Sequence, residues 1–205
     1  MLICIKTKEE KKTMSRKKII AATGNKGKLK EIKEIFPEYE ILSSKEAGFD
    51  VDVEEDADTF EGNALKKARA IAELSGELCL ADDSGIMIDH FDGWPGVHTA
   101  RWMDASDHEK NLAIIEKMKG VPREERTVHW ITAIAIVDGE GKEFTGIHSV
   151  DGLISTESRG ANGFGFDEIF ELPNGKTLAE LSGEEKNEIG ARKKALTKVK
   201  EYLPK

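Results

Sequence analysis

The stretch that most constrains the fold is Thr127–Val137, TVHWITAIAIV, an almost unbroken run of apolar and β-branched residues. A strand with one wet face alternates, whereas a run of this kind needs cover on both faces, as in a sheet with helices above and below. A turn at Asp138 and Gly139 sends the chain back through KEFTGIHSVDGLI, so the run opens a hairpin. Helical stripes supply the cover. Leu29, Ile32, Ile35 and Phe36 recur at helical spacing over Lys28–Phe36, which Pro37 stops. A second helix is expected from an Asp58 cap, with Glu61 three residues on, to Ser75 before Gly76. Ser106 with Glu109 begins a third, and Ser182 with Glu185 a last one that carries Lys186, Arg192, Leu196 and Val199 nearly to Pro204. Short strands at Lys18–Ala22 and Tyr39–Leu42 complete a mixed α/β chain with glycine loops at strand ends, where such folds place their clefts.

The chain has 205 residues without repeats or linkers, so residues 17–205 read as a single domain and residues 1–16 as an N-terminal extension, expected to be disordered. A net charge of −8 argues against a nucleic-acid or membrane binder, so any phosphate binding must be local. Cys4 and Cys79 offer no disulfide framework or zinc site, which fits a cytoplasmic protein. The apolar part of MLICIKTKEEKKTM is too short for a signal sequence, and Met14 is an alternative start.

LCLADDSG, Leu78–Gly85, carries an apolar strand into two adjacent carboxylates. The strand is expected to end at Asp82 and Asp83, with IMIDHF as its return after Gly85. Adjacent anions resist desolvation and persist where water, a cation or a basic partner reaches them. An Asx turn closing a strand is one reading. The other pairs Asp83 with Glu55 from the acidic loop DVDVEEDAD as hard ligands holding magnesium against a polyphosphate, whose cleavage is mostly positioning and charge neutralisation. ATGNKGKLKEI places Thr23, Gly24, Asn25, Lys26, Gly27 and Lys28 between a strand and a helix start, where free backbone N–H groups and lysines make a phosphate receptor. It lacks the spacing and the Ser or Thr of a Walker A loop, and a glycine turn with solvated lysines is the competing reading. Phe60, Asn63, Lys67 and Leu74 share one side of the second helix, so Asn63 and Lys67 can point into a cleft or into solvent. In GANGFGFD, the Phe164 ring suits stacking on a base or packing in the core.

In order and spacing, ATGNKGKLKEI, TFEGNALKKARA, ADDSG, GWPGVHTARW, GFGFDEIF and LSGEEKNEIGARKKAL resemble the motifs of the inosine/xanthosine triphosphate pyrophosphatase family, over Lys17–Leu203. The resemblance implies an α/β fold with a long, twisted mixed sheet, helices on both faces and two lobes around a nucleotide cleft. It implies a magnesium-dependent homodimer that hydrolyses non-standard purine triphosphates (ITP, dITP, XTP) to the monophosphate and pyrophosphate. By motif, Thr23 to Lys28 hold the phosphates, Glu55 and Asp83 hold the metal, and Asp83 also activates water. Lys67, with Ser84 and Asn63, supports metal and phosphate; Phe164, Gly165, Phe166, Asp167, Lys186 and Arg192 line the base and ribose end. The family usually reads FGYDP where this chain has FGFDE, and a His-Arg pair where it has Ala191-Arg192. Phe166 keeps the ring, Glu168 brings a charge near the pocket, and Ala191 removes a reader of the purine 6-keto group. Rival expectations are a Maf-like enzyme for modified pyrimidine nucleotides and a nucleotide sensor without turnover, against which Glu55, Asp83 and Lys67 speak. Trp94 and Trp102 are candidates for a buried dimer contact.

Overall fold

Three long antiparallel strands span the molecule: β3 (Cys79–Ile88), β5 (Thr127–Val137) and β6 (Glu143–Ile154). The structure, a computed structural model, describes residues 17–203; the expected extension 1–16 lies outside the described residues. The parallel strands β1 (Lys18–Ala21) and β2 (Glu40–Ser43) extend the sheet on the β3 side, and β7 (Phe170–Glu171) pairs with β6. The order is β2-β1-β3-β5-β6-β7, with β4 (Trp94–Pro95) also on β3.

Helices cover both faces of the first lobe, as the apolar run requires, and β5 is buried from Thr132 to Val137. On one face, α1 (Lys26–Ile35) and α5 (Ala191–Val199) bring Ile32, Leu196 and Val199 against Ile19, Leu80, Ile134 and Ile136. On the other, α2 (Phe60–Ser75) packs Ala64, Ala68 and Ile71 against Ile20, Cys79, Ala81, Ala133 and Ala135. The second lobe closes over the far half of β3 and β5, where α3 (Asp107–Lys117) joins Ile86, Ile88, Val128, Phe166 and Phe170 in a separate core. Among the described residues, no helix is long and apolar enough to cross a membrane.

Four local expectations need correction. β3 does not end at the aspartates: it runs unbroken through Asp82, Asp83, Ser84 and Gly85, opposite Ile134, Ala133, Thr132 and Ile131 of β5. α1 starts inside the expected loop, because Asn25 caps it with Oδ1 accepting from Gly27 N at 2.8 Å and Lys28 N at 3.0 Å. The α2 cap is Thr59 rather than Asp58, its hydroxyl accepting from Gly62 N at 3.0 Å. The last helix is two, α4 (Gly183–Ile189) and α5, because Gly190, a weak helix former, takes extended backbone between them. The capping boxes at Ser106 with Glu109 and Ser182 with Glu185 form as read.

Gly85 lets this strand pass close to its cover: a Cβ there would lie 2.8 Å from both the Phe60 ring and Thr99 Cβ. Thr99 in turn accepts the Ile86 N–H at 3.1 Å. Gly85→Ala is expected to lower stability by about 1–3 kcal/mol through overpacking, read from urea unfolding.

Candidate active site

β1 stops at Ala21, opposite Leu80, while β3 continues. The space beyond the end of β1 becomes a cleft of about 370 Å³ between the lobes, with Asp82 and Asp83 among the residues that line it. Ligands of open α/β sheets gather at such carboxyl ends of strands. The strand pleat sends the two carboxylates to opposite faces of the sheet.

On the α1 and α5 face, Asp82 is fully buried and pairs with Lys28 Nζ at 2.5 Å and Arg192 Nε at 2.7 Å. Ser84, two residues on, donates to Asp82 Oδ1 at 2.6 Å. Burial raises the Asp82 pKa, but Arg192 and Lys28 outweigh it and hold the carboxyl well below the usual range. The same burial lowers Lys28, helped by the neighbouring Arg192 and Lys67 charges. Arg192 also meets Glu31, which pairs with Lys186 at 2.9 Å; Lys186 reaches Asp167 at 2.5 Å. An alternating chain of charges thus joins β3, α5, α1, α4 and the glycine loop.

On the α2 face, Lys67 Nζ donates to Glu55 Oε2 at 3.0 Å, Asp83 Oδ1 at 2.9 Å and the Asp82 carbonyl at 3.1 Å. These three acceptors use every proton of the ammonium. Burial disfavours the Lys67 charge, yet Asp83 and Glu55 raise its pKa overall. Asp83 Oδ2 is buried with no hydrogen-bond partner. Burial and the neighbouring Glu55 carboxylate, only partly opposed by Lys67, push the Asp83 carboxyl up to about 6.

Of the residues read from the sequence, Thr23, Gly24, Asn25, Lys28, Glu55, Lys67, Asp83, Ser84, Phe164, Gly165, Phe166 and Arg192 line this cleft. Lys26, Gly27, Asn63, Asp167, Lys186 and Ala191 do not. Gly27 lies against the Phe164 ring, 2.5 Å from where its Cβ would be, so close approach explains the glycine. The Gly27 and Lys28 amides are occupied by Asn25 rather than free, and of the two lysines in this loop it is Lys28 that lines the cleft. Asn63 is buried and accepts from Ala57 N at 3.0 Å, bracing the acidic loop. Asp167 and Lys186 stand behind Phe164, whose ring centroid is 4.4 Å from Lys186 Nζ. Ala191 and Lys186 line a separate small cavity with Trp130 and Thr132. Glu168 is tied to Ser158 at 2.5 Å and His108 at 2.9 Å. Trp94 and Trp102 pack on each other within the chain, centroids 4.8 Å apart.

Residues not foreseen also meet here. Glu31 is one, and α3 contributes Asp107, Lys110 and Asn111. Asp107 accepts from Gly165 N at 2.7 Å and Asn111 donates to Gly165 O at 3.0 Å, clamping the aromatic loop. Among the described residues, no group of three or more His, Cys, Asp or Glu could by itself hold a metal ion.

The geometry has close counterparts. The chain is 42% identical to the dITP/XTP pyrophosphatase of Symbiobacterium thermophilum over 196 residues, 93% of this chain and 97% of that protein. Identity to the dITP/XTP pyrophosphatase of Bacillus subtilis is 41% over 193 residues, 91% and 97% of the two chains. The solved structure of the Staphylococcus aureus Ham1 protein superposes with a TM-score of 0.81 at 33% identity, covering 91% of this chain and 98% of that one. The sequence profile of the Ham1 family matches residues 19–202, and the chain belongs to that family.

Proposed function

We propose that this chain hydrolyses non-standard purine nucleoside triphosphates, the inosine and xanthosine forms and their deoxy counterparts, between the α and β phosphates. The products are the nucleoside monophosphate and pyrophosphate. The observation that carries the reading is Asp83: one oxygen held by Lys67, the other buried without a partner, in a cleft that also offers Lys28 and an aromatic loop. The dITP/XTP pyrophosphatases that are 41% and 42% identical to this chain over more than nine-tenths of its length support the same reaction.

The donor set fits a divalent cation such as magnesium. Five carboxylates (Asp52, Glu55, Asp82, Asp83, Asp107) line the cleft against four cations (Lys28, Lys67, Lys110, Arg192), so a polyphosphate needs further positive charge to enter. Magnesium is typically held by one or two carboxylates plus water and phosphate oxygens, which matches Glu55 and the free oxygen of Asp83 without a larger protein cage. When bound, the ion would neutralise charge on the phosphates and activate water. The protein's own groups do the rest. Lys67 orients the Asp83 carboxylate by taking Oδ1, which leaves Oδ2 as the oxygen that would hold the ion and, through it, the attacking water. Without a metal the carboxyl, raised to about 6, is still ionised at neutral pH and so is ready to take a cation. Lys28 and the Thr23–Asn25 loop hold the phosphates, and Phe164 stacks at the base end, backed by Lys186 and Arg192.

A panel of nucleoside triphosphates with magnesium tests the assignment. Pyrophosphate from ITP and XTP, well above ATP or the pyrimidine nucleotides, and its loss on chelation are expected; orthophosphate as product, or a pyrimidine preference, contradicts it. The two aspartates separate chemistry from folding. Asp83→Asn is expected to lower kcat by roughly 100-fold or more, the share of a general base, with the fold retained. Asp82→Asn leaves Lys28 without a carboxylate and Arg192 with Glu31 alone in the interior, and should cost about 3–5 kcal/mol of stability in chemical denaturation, more than Asp83→Asn does.

A further inference from the structure

We propose that Lys110 is a further substrate-binding residue, a cation in the α3 wall of the cleft that takes the phosphate chain of the substrate. The pyrophosphatase reading above supplies that substrate. The other cations lining the cleft are committed to carboxylates: Lys28 to Asp82, Lys67 to Glu55 and Asp83, Arg192 to Asp82 and Glu31. Lys110 lines the same cleft and is only 9% exposed, yet among the described residues its one polar partner is the Ala100 carbonyl, at 2.6 Å. One carbonyl uses one of three ammonium protons and cancels no charge. A buried cation without a counter-anion is costly unless it is hydrated or paired, and an arriving polyanion removes that cost.

The side chain is also held where a binding group has to be held. Its flanking positions on α3, Asp107 and Asn111, grip both backbone groups of Gly165. Its carbonyl partner precedes Arg101, whose guanidinium donates to the Glu55 carbonyl at 2.6 Å. Lys110 therefore stands between Gly165 of the aromatic loop and the acidic loop that carries Glu55, in the cleft itself, whereas Lys186 and Asp167 lie behind Phe164. The polyphosphate, the only anionic part of the substrate, is the fitting partner.

Inorganic tripolyphosphate, which has no base, is the direct probe, titrated calorimetrically into the intact protein alongside steady-state kinetics with the best triphosphate of the panel. Lys110→Met keeps the stem and removes the charge, and Lys110→Gln keeps a donor for Ala100, so a folded uncharged variant is available even if one of them is unstable. Both are expected to weaken tripolyphosphate binding and raise KM by about tenfold, the scale of one charge-assisted hydrogen bond, with the loss in KM rather than kcat. Lys110→Arg should recover most of the affinity. Unchanged tripolyphosphate affinity and KM overturn the proposal, as does a fall in melting temperature alone, which would make Lys110 a tie for the Ala100 loop. A wild-type protein that binds tripolyphosphate through Lys110 but does not cleave purine triphosphates would overturn the proposed reaction and leave this site standing.

Discussion

The pleat of β3 separates Asp82 from Asp83, and most of the cleft is arranged around that separation. Side by side on one face, two carboxylates would repel and one would take up a proton. On opposite faces each meets its own partners: Asp82 meets Lys28 and Arg192 beneath α1 and α5, and Asp83 meets Lys67 and Glu55 beneath α2. The consequence is a division of labour within one dipeptide. Asp82 is saturated with cations, whereas Asp83 keeps an unpartnered oxygen and a raised pKa, the features on which its proposed catalytic role rests.

The charges radiating from Asp82 make the lobes one unit. Asp82, Arg192, Glu31, Lys186 and Asp167 alternate in sign and connect the sheet to the loop of Phe164. Such buried pairs add little net stability over an apolar core, because desolvation offsets their attraction, but losing one member is costly. Their effect is therefore geometric. They fix the aromatic loop relative to β3 and the start of α1, while the helix covers and the second-lobe core supply the hydrophobic stabilisation.

How much of this is legible in the sequence follows from the range of the forces. The run Thr127–Val137, the hairpin at Asp138 and Gly139 and the capping boxes at Ser106 and Ser182 rest on local pattern, and they form as read. The continuity of β3 is not legible. Asp-Asp-Ser-Gly has the composition of a turn, and it stays extended by pairing with Ile131 to Ile134 of β5, while Lys28 and Arg192, 54 and 110 residues away, compensate the Asp82 charge. The break at Gly190 hides inside a helical pattern that continues across it. At the cleft, the motifs that carry Glu55, Lys67 and Asp83 are visible, since two carboxylates and a lysine from separate elements suggest phosphate chemistry. Glu31 and Lys110 are not, because a charged residue on an amphipathic helix reads as a solvated face until the neighbouring elements are in place.

The central claim is that the two faces of β3 do different work, with a cation and the reacting water on the Asp83 side alone. A crystal structure with manganese in place of magnesium and a non-hydrolysable inosine triphosphate analogue tests it directly through the anomalous signal of the ion. The account predicts an ion coordinated by Asp83 and Glu55, with Asp82 still paired to Lys28 and Arg192. An ion coordinated by Asp82, or a manganese site that leaves Asp83 untouched, would contradict it.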